Sequence, residues 1–169
     1  MTILQIVVLL VAIQRLLELA YAARNTKALK ARGGIEIGAG HYPLIVLVHA
    51  GWLAALLLLV PADAAPSWPL LAFFCVLQGM RLWVVASLGP FWTTRVITLP
   101  DAPLQRKGPY RFMRHPNYAV VVAEILVLPL AFGAWQIALL FTLLNALVLA
   151  WRIHVEEGAI RGRRELSAP

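Results

Sequence analysis

Cysteine is nearly absent: Cys75 stands alone, inside an apolar run. A lone thiol excludes an internal disulfide and any cysteine-rich metal site. Histidine is scarce too. His41, His49, His115 and His154 show neither HExxH nor any other ligand spacing, so no metal is expected. Acid is in short supply, with 8 Asp and Glu against 15 Lys and Arg, and charged residues form only 14% of the chain. No internal repeat is visible. What the chain has instead is hydrocarbon. Of its 169 residues 61% are hydrophobic, and the mean hydropathy is +0.77. Soluble domains are about 45–50% apolar, so this composition points to a membrane protein, most simply of one domain.

A helix crosses the hydrocarbon core with ~20 apolar residues. Five stretches qualify, at about 3–23, 41–60, 70–88, 116–132 and 135–155. Ala20-Tyr21-Ala22 mimics a signal cleavage site. The run before it lacks a basic n-region and contains Arg15 and Glu18, so it reads as a retained first helix. Residues 24–40 are polar and Gly-rich and read as a loop with room for a short interfacial helix. Pro61 to Pro69 makes a turn with Trp68 at an interface. Gly89-Pro90 ends the third span, and Gly133-Ala134 allows a tight reversal.

Charge placement tests that count. The loop at 24–40 carries 4 Lys and Arg, the segment at 90–116 carries 5, and 152–164 carries 4, which together make 13 of the 15. The turns at 61–69 and 133–134 carry none. Alternating basic and neutral loops are what the positive-inside rule demands of an odd number of spans. The expected fold is an all-α integral membrane protein with five transmembrane helices, the N-terminus out and the C-terminus cytoplasmic. The net charge of +7 is then mostly topology, with anionic lipid as an added contact and no nucleic-acid partner.

Ionisable groups inside a bilayer are costly and face the bundle interior. Arg15, Glu18, Arg81 and Glu124 are of this kind. Arg81 and Glu124 lie at similar depth and are expected to pair. Arg15 and Glu18, three apart, are expected to pair locally. Structural ion pairing is the leading role for these four. On the fifth span Asn145, Leu149, Arg152 and Glu156 share one helix face. Arg152 and Glu156 form either a snorkelling boundary pair or a clamp for a zwitterion, with Arg152 on a carboxylate and Glu156 on an ammonium.

The densest polar stretch is Gly108-Pro109-Tyr110-Arg111-Phe112-Met113-Arg114-His115-Pro116-Asn117-Tyr118. Pro116 drives His115 out of the helical region and suits the first position of the fourth helix. The N–H groups of Asn117 and Tyr118 are then expected to favour an anionic group. Tyr110 and Phe112 add aromatic faces for an adenine or a sulfonium. An interfacial anchor is the plainer reading.

Gly-Pro-Tyr-Arg-x3-His-Pro-x-Tyr over 108–118, followed one span later by Arg-x3-Glu-Glu over 152–157, resembles the isoprenylcysteine carboxyl methyltransferase family. These are small integral-membrane enzymes that use S-adenosylmethionine. The resemblance covers about 81–160, and the first two spans match only in being apolar. It implies a donor pocket of Ala102, Pro103, Leu104, Gln105, Tyr110, His115, Pro116, Asn117, Tyr118 and Glu156, with Arg152 nearest the acceptor. The eukaryotic enzymes place a histidine where Ala102 stands here. The stretch Leu88 to Arg95 through Leu99-Pro100 is similar to a bacterial branch whose members sit beside type III polyketide synthases and O-methylate alkylpyrones. The implied partner is therefore a lipophilic or lipidated acceptor, isoprenylcysteine-like or alkylpyrone-like, methylated at the cytoplasmic face of a bacterial inner membrane.

Such a transfer is an in-line displacement on an activated donor and needs no metal. Positioning the nucleophile supplies much of the rate. Arg152 would orient an oxyanion. A neutral hydroxyl would call on His115 or Glu156 as base. Phospholipid methyltransferases share a looser version of the motif, and membrane sterol reductases, which use NADPH, carry a related Arg-His-x-Asn-Tyr. A lipid reductase and a non-catalytic membrane adaptor are the competing readings.

Overall fold

The fold is that of a computed structural model, which describes residues 1–38, 40, 42–99 and 107–166, with side chains as far as Gly158. Five α-helices account for most of it: α1 (Ile3–Ala31), α2 (Tyr42–Leu59), α3 (Trp68–Leu88), α4 (Pro116–Ala131) and α5 (Trp135–Leu166). Four of them, α1, α2, α3 and α5, are long and apolar enough to cross a membrane. Their outward faces are apolar too: Leu9, Leu16, Leu58, Leu82 and Leu147 are all exposed. A helix apolar on every side belongs in hydrocarbon, so the protein is an integral membrane protein.

The fourth expected span is the exception in length. At 16 residues α4 extends about 24 Å, short of the ~30 Å hydrocarbon core. It is also the most enclosed helix, with Val120, Val121, Glu124, Ile125, Val127 and Leu128 all buried. It nonetheless runs the length of the bundle. Pro116 starts it at the basic end, and Ala131 O accepts from Ser67 N at the start of α3, 2.7 Å away at the other end.

α1 outruns its expected end by eight residues. The stretch Arg24 to Ala31 is polar, but its Ala, Leu, Lys and Arg are strong helix formers. Ala22, Asn25 and Leu29 continue one buried face at helical spacing. Gly33, at φ 87°, then turns the chain. Beyond it, β1 (Ile35–Glu36) pairs antiparallel with β2 (Ile97–Thr98). This two-stranded clip joins the α1–α2 connection to the α3–α4 segment. Lys30 and Arg95 both bond the Glu36 carboxylate, each at 2.5 Å. Gly38 packs directly on Val155 of α5. All three basic segments therefore meet at one end of the bundle.

Along the bundle axis the interior is layered. The main apolar core fills the neutral half, from Leu4, Val8, Trp52, Leu56, Ile125 and Leu128. Next comes a charged layer. Arg15 donates to Glu124 at 2.7 Å and to Glu18 at 3.2 Å, and Arg81 donates to Glu18 at 2.6 Å and to Glu124 at 3.2 Å. Gln78 adds a bond to Glu124 at 2.9 Å. The two expected pairs both form, but they are halves of one closed network across α1, α3 and α4. A smaller apolar cluster of Ala22, Val84, Trp92 and Val120 separates this layer from the basic end.

Candidate functional site

The densest polar stretch is seated by a glycine. Gly108 has φ 54°, and a Cβ there would collide with Ser87 Oγ in the last turn of α3. Only glycine combines that backbone angle with that approach. The chain then makes a short 3-10 turn over Gly108–Arg111, which lays Tyr110 against the Ala22, Val84, Trp92 and Val120 cluster. Burial pushes the Tyr110 phenol well above its ordinary range, and the nearby Glu156 carboxylate adds to the effect. Tyr110 is thus a neutral wall. Phe112, by contrast, points outward and is 74% exposed, so it contributes no face to the site.

His115 caps α4 and Pro116 is its first residue, as expected. The expected pair of open N–H groups is only half present, because Tyr118 N donates to His115 O at 3.1 Å. What α4 does supply is side chains. The His115 and Tyr118 rings stack with centroids 5.0 Å apart and planes 12° off parallel. The Tyr118 hydroxyl donates to Glu156 Oε1 and accepts from Arg152 Nε at 2.8 Å. Arg152 Nε also reaches Glu156 Oε1 at 3.2 Å, and His115 Nδ1 lies 3.5 Å from Glu156 Oε2. The guanidinium carbon of Arg152 sits 5.5 Å from the centre of the Tyr118 ring.

Two segments thirty-four residues apart therefore close on a single carboxylate. A snorkelling pair would leave its guanidinium in the headgroups, whereas Arg152 is buried. Its Nη1 donates to Thr94 O at 2.7 Å, which anchors the start of the α3–α4 segment to the same centre. Nothing in the spacing pointed to Thr94, because the contact is to a backbone carbonyl and carries no residue signal. Asn25 was missed as well. Its side-chain amide donates to Gly89 O at 3.1 Å and Trp92 O at 2.9 Å and so holds the α3 end against α1. Its place seven residues after Glu18, on the same helix face, was the available clue.

A cavity of about 330 Å³ opens beside this centre and runs inward. Asn117, Tyr118 and Arg152 line its basic end, and Arg15, Arg81 and His49 line its inner part. Asn117 Oδ1 is buried there without a hydrogen-bond partner among the described residues. Ala102, Pro103, Leu104 and Gln105 lie outside the described residues. Among the described residues no group of three or more His, Cys, Asp or Glu could hold a metal.

An apolar bundle thus carries an Arg–Tyr–Glu centre at one end, with Arg152 buried and Tyr118 and Glu156 partly so. The chain belongs to the isoprenylcysteine carboxyl methyltransferase family, whose profile matches residues 70–161, more than half of it. That match takes in α3 but for its first two residues, all of α4 and the paired segments of the site. Two curated relatives extend the likeness to nearly the whole chain, the first two helices included. "Uncharacterized protein YpbQ" of Bacillus subtilis is 37% identical over 160 residues, covering 92% of this chain and 95% of that one. An "Uncharacterized protein" of Haemophilus influenzae is 28% identical over 151 residues, covering 86% and 88%. No solved structure matches the chain.

Proposed function

We propose that the protein is an S-adenosylmethionine-dependent methyltransferase that O-methylates a carboxylate or acidic hydroxyl of a lipophilic acceptor. The observation that carries this reading is the convergence of His115, Tyr118, Arg152 and Glu156 on one centre, of which Tyr118 and Arg152 line an inward-running cavity. Their chemistry fits the donor. Its ammonium needs an anion, and Glu156 is the only carboxylate at that centre among the described residues. Its carboxylate needs N–H groups, and the start of α4 offers that of Asn117. Asn117, with a buried and unpartnered Oδ1, offers one more polar contact.

S-adenosylmethionine, when bound, supplies an electrophilic methyl that a nucleophilic oxygen takes by in-line displacement. The chain's part is to hold and exclude. Arg152, fixed by Thr94 O and Tyr118, presents a guanidinium edge that orients the acceptor oxyanion. Tyr118 passes the position of Arg152 on to Glu156, so donor and acceptor ends are set by one linkage. For a neutral hydroxyl, His115 or Glu156 would take the proton. Tyr110 and the Trp92 cluster keep water from the inner side.

Orientation follows from charge. All three basic segments lie at the site's end of the bundle, and the positive-inside rule puts that end in the cytoplasm. With α4 as a short fifth crossing enclosed by its neighbours, the N-terminus faces out and the C-terminus in. In a bacterium this is the inner membrane, with the water-soluble donor reaching the site from the cytoplasm.

The test is ligand-dependent melting of detergent-solubilised protein. S-adenosylhomocysteine at 100 times its Kd should stabilise by about 2.7 kcal/mol. A shift with NADPH instead would favour the reductase, and no shift with either would favour the adaptor.

A further inference from the structure

Four helices repeat one device. Asn25 and Glu18 on α1, Tyr42 and His49 on α2, Asn117 and Glu124 on α4, and Arg152 and Asn145 on α5 are each seven residues apart. Seven residues return a helix to nearly the same face about 10 Å along. The bundle therefore carries a second polar level, two turns inside the Arg152 centre. Asn145 and His49 both belong to that level. α2 and α5 run antiparallel: Gly40, just before α2, faces Trp151, and Gly51 faces Phe141, where an added Cβ would come within 3.9 Å and 3.4 Å of the rings. Interpolating between those contacts puts His49 within about a turn of Asn145. Both line the cavity.

This inner level is not fully satisfied. Asn145 is 5% exposed, and its Nδ2 has no hydrogen-bond partner among the described residues. Arg15 Nε, also on the cavity's lining, has none either. His49 Nδ1 is taken by Ile45 O at 2.8 Å, so the neutral ring turns a lone pair outward at Nε2. Buried polar groups of this kind are ordinarily paired. The charges beside them cancel, with Arg15 and Arg81 against Glu18 and Glu124. The missing partner is therefore a neutral oxygen and not an anion. A plain hydrocarbon tail would leave these groups stranded.

The geometry points to a second recognition subsite. Asn145 donates to a neutral carbonyl, hydroxyl or ether oxygen of the methyl acceptor, on the tail side of the methylated atom. This rests on the methyltransferase reading for the identity of the occupant. It makes the acceptor a molecule with two polar positions, and Asn145 the residue that selects it.

The probes are long-chain carboxylic acids of one length, each carrying a single keto group at successive positions beyond the β-carbon, with the unsubstituted acid as reference. Binding is followed by tryptophan fluorescence without donor, since Trp92 lines the cavity. One keto position should bind about 10- to 100-fold tighter than the reference, the range expected for a buried donor gaining its partner. Asn145→Leu should erase that preference and let the unsubstituted acid bind at least as tightly as before, since no amide is left for its tail to strand. Asn145→Gln, which keeps the amide but lengthens its reach, should move the preferred position along the chain. A flat series, or a peak that survives in Asn145→Leu, overturns the subsite, as does failure of every acid to bind. Methyl-ester formation is read separately on the same acids. A peak without methylation leaves the subsite and sinks the methyltransferase. Equal methylation of a flat series does the reverse.

Discussion

The two polar centres of this bundle both join arginine to glutamate and differ in how they are closed. The inner network ties α1, α3 and α4 through Arg15, Glu18, Arg81 and Glu124, and every charge in it has an opposite within 3.2 Å. The outer centre gathers on one carboxylate, Glu156, which takes Tyr118, Arg152 and His115 at once. It lies beside the cavity mouth and rests on short local segments. A closed network of buried ions is a fastener, because opening any link strands a charge. A centre with one shared acceptor can exchange a partner for a ligand group at little loss. The inner centre should therefore fail as folding, and the outer one as chemistry.

The strongest way to break that contrast is Arg81→Leu. It leaves Arg15 alone to offset both Glu18 and Glu124, and removing one partner from a buried pair costs about 3–5 kcal/mol. Loss of monodisperse protein in detergent, or a large drop in melting temperature, is the expected result. A well-folded but inactive variant would move the inner network into the catalytic machinery. His115→Ala should fold normally and lose about 100-fold in methyl transfer, at the low end for a proton-handling side chain. Full activity would remove His115 from the reaction. Glu156→Ala should abolish the stabilisation by S-adenosylhomocysteine while the unliganded melting temperature barely moves. A lost fold there would make the outer centre a second fastener and erase the distinction.

The smallest effect belongs to the clip at the basic end. Lys30 and Arg95 hold the Glu36 carboxyl below its usual range. A depressed carboxylate contributes stability above its ordinary pKa and loses it as pH falls through the folded value. Both cations are well exposed, so the two pairs together should amount to only about 1 kcal/mol. Glu36→Gln should lower the melting temperature slightly at pH 7 and match the wild type in acid. A gap that persists in acid would assign the effect to packing.

How much of this was legible in one dimension depends on range. Apolar run length and the alternation of basic and neutral loops specified a membrane bundle and its helices, because lipid imposes one length and one sign rule on every segment. Helix ends were less legible. Hydrocarbon thickness predicts where a span leaves the membrane, and α1 and α5 continue beyond that point, α1 on helix propensity and on the buried face of Ala22, Asn25 and Leu29. Gly108, His115 and Pro116 announced the turn and the cap, since those roles belong to residue types. Arg152 and Glu156 announced a shared face, since helical period is a property of the sequence. Which groups they meet was settled in three dimensions. The grip of Thr94 O on Arg152, the fusion of two ion pairs into one network and the stranded amide of Asn145 depend on side chains and backbone brought together across many residues. Periodicity fixes the direction in which a side chain leaves its helix, but only packing decides what stands opposite.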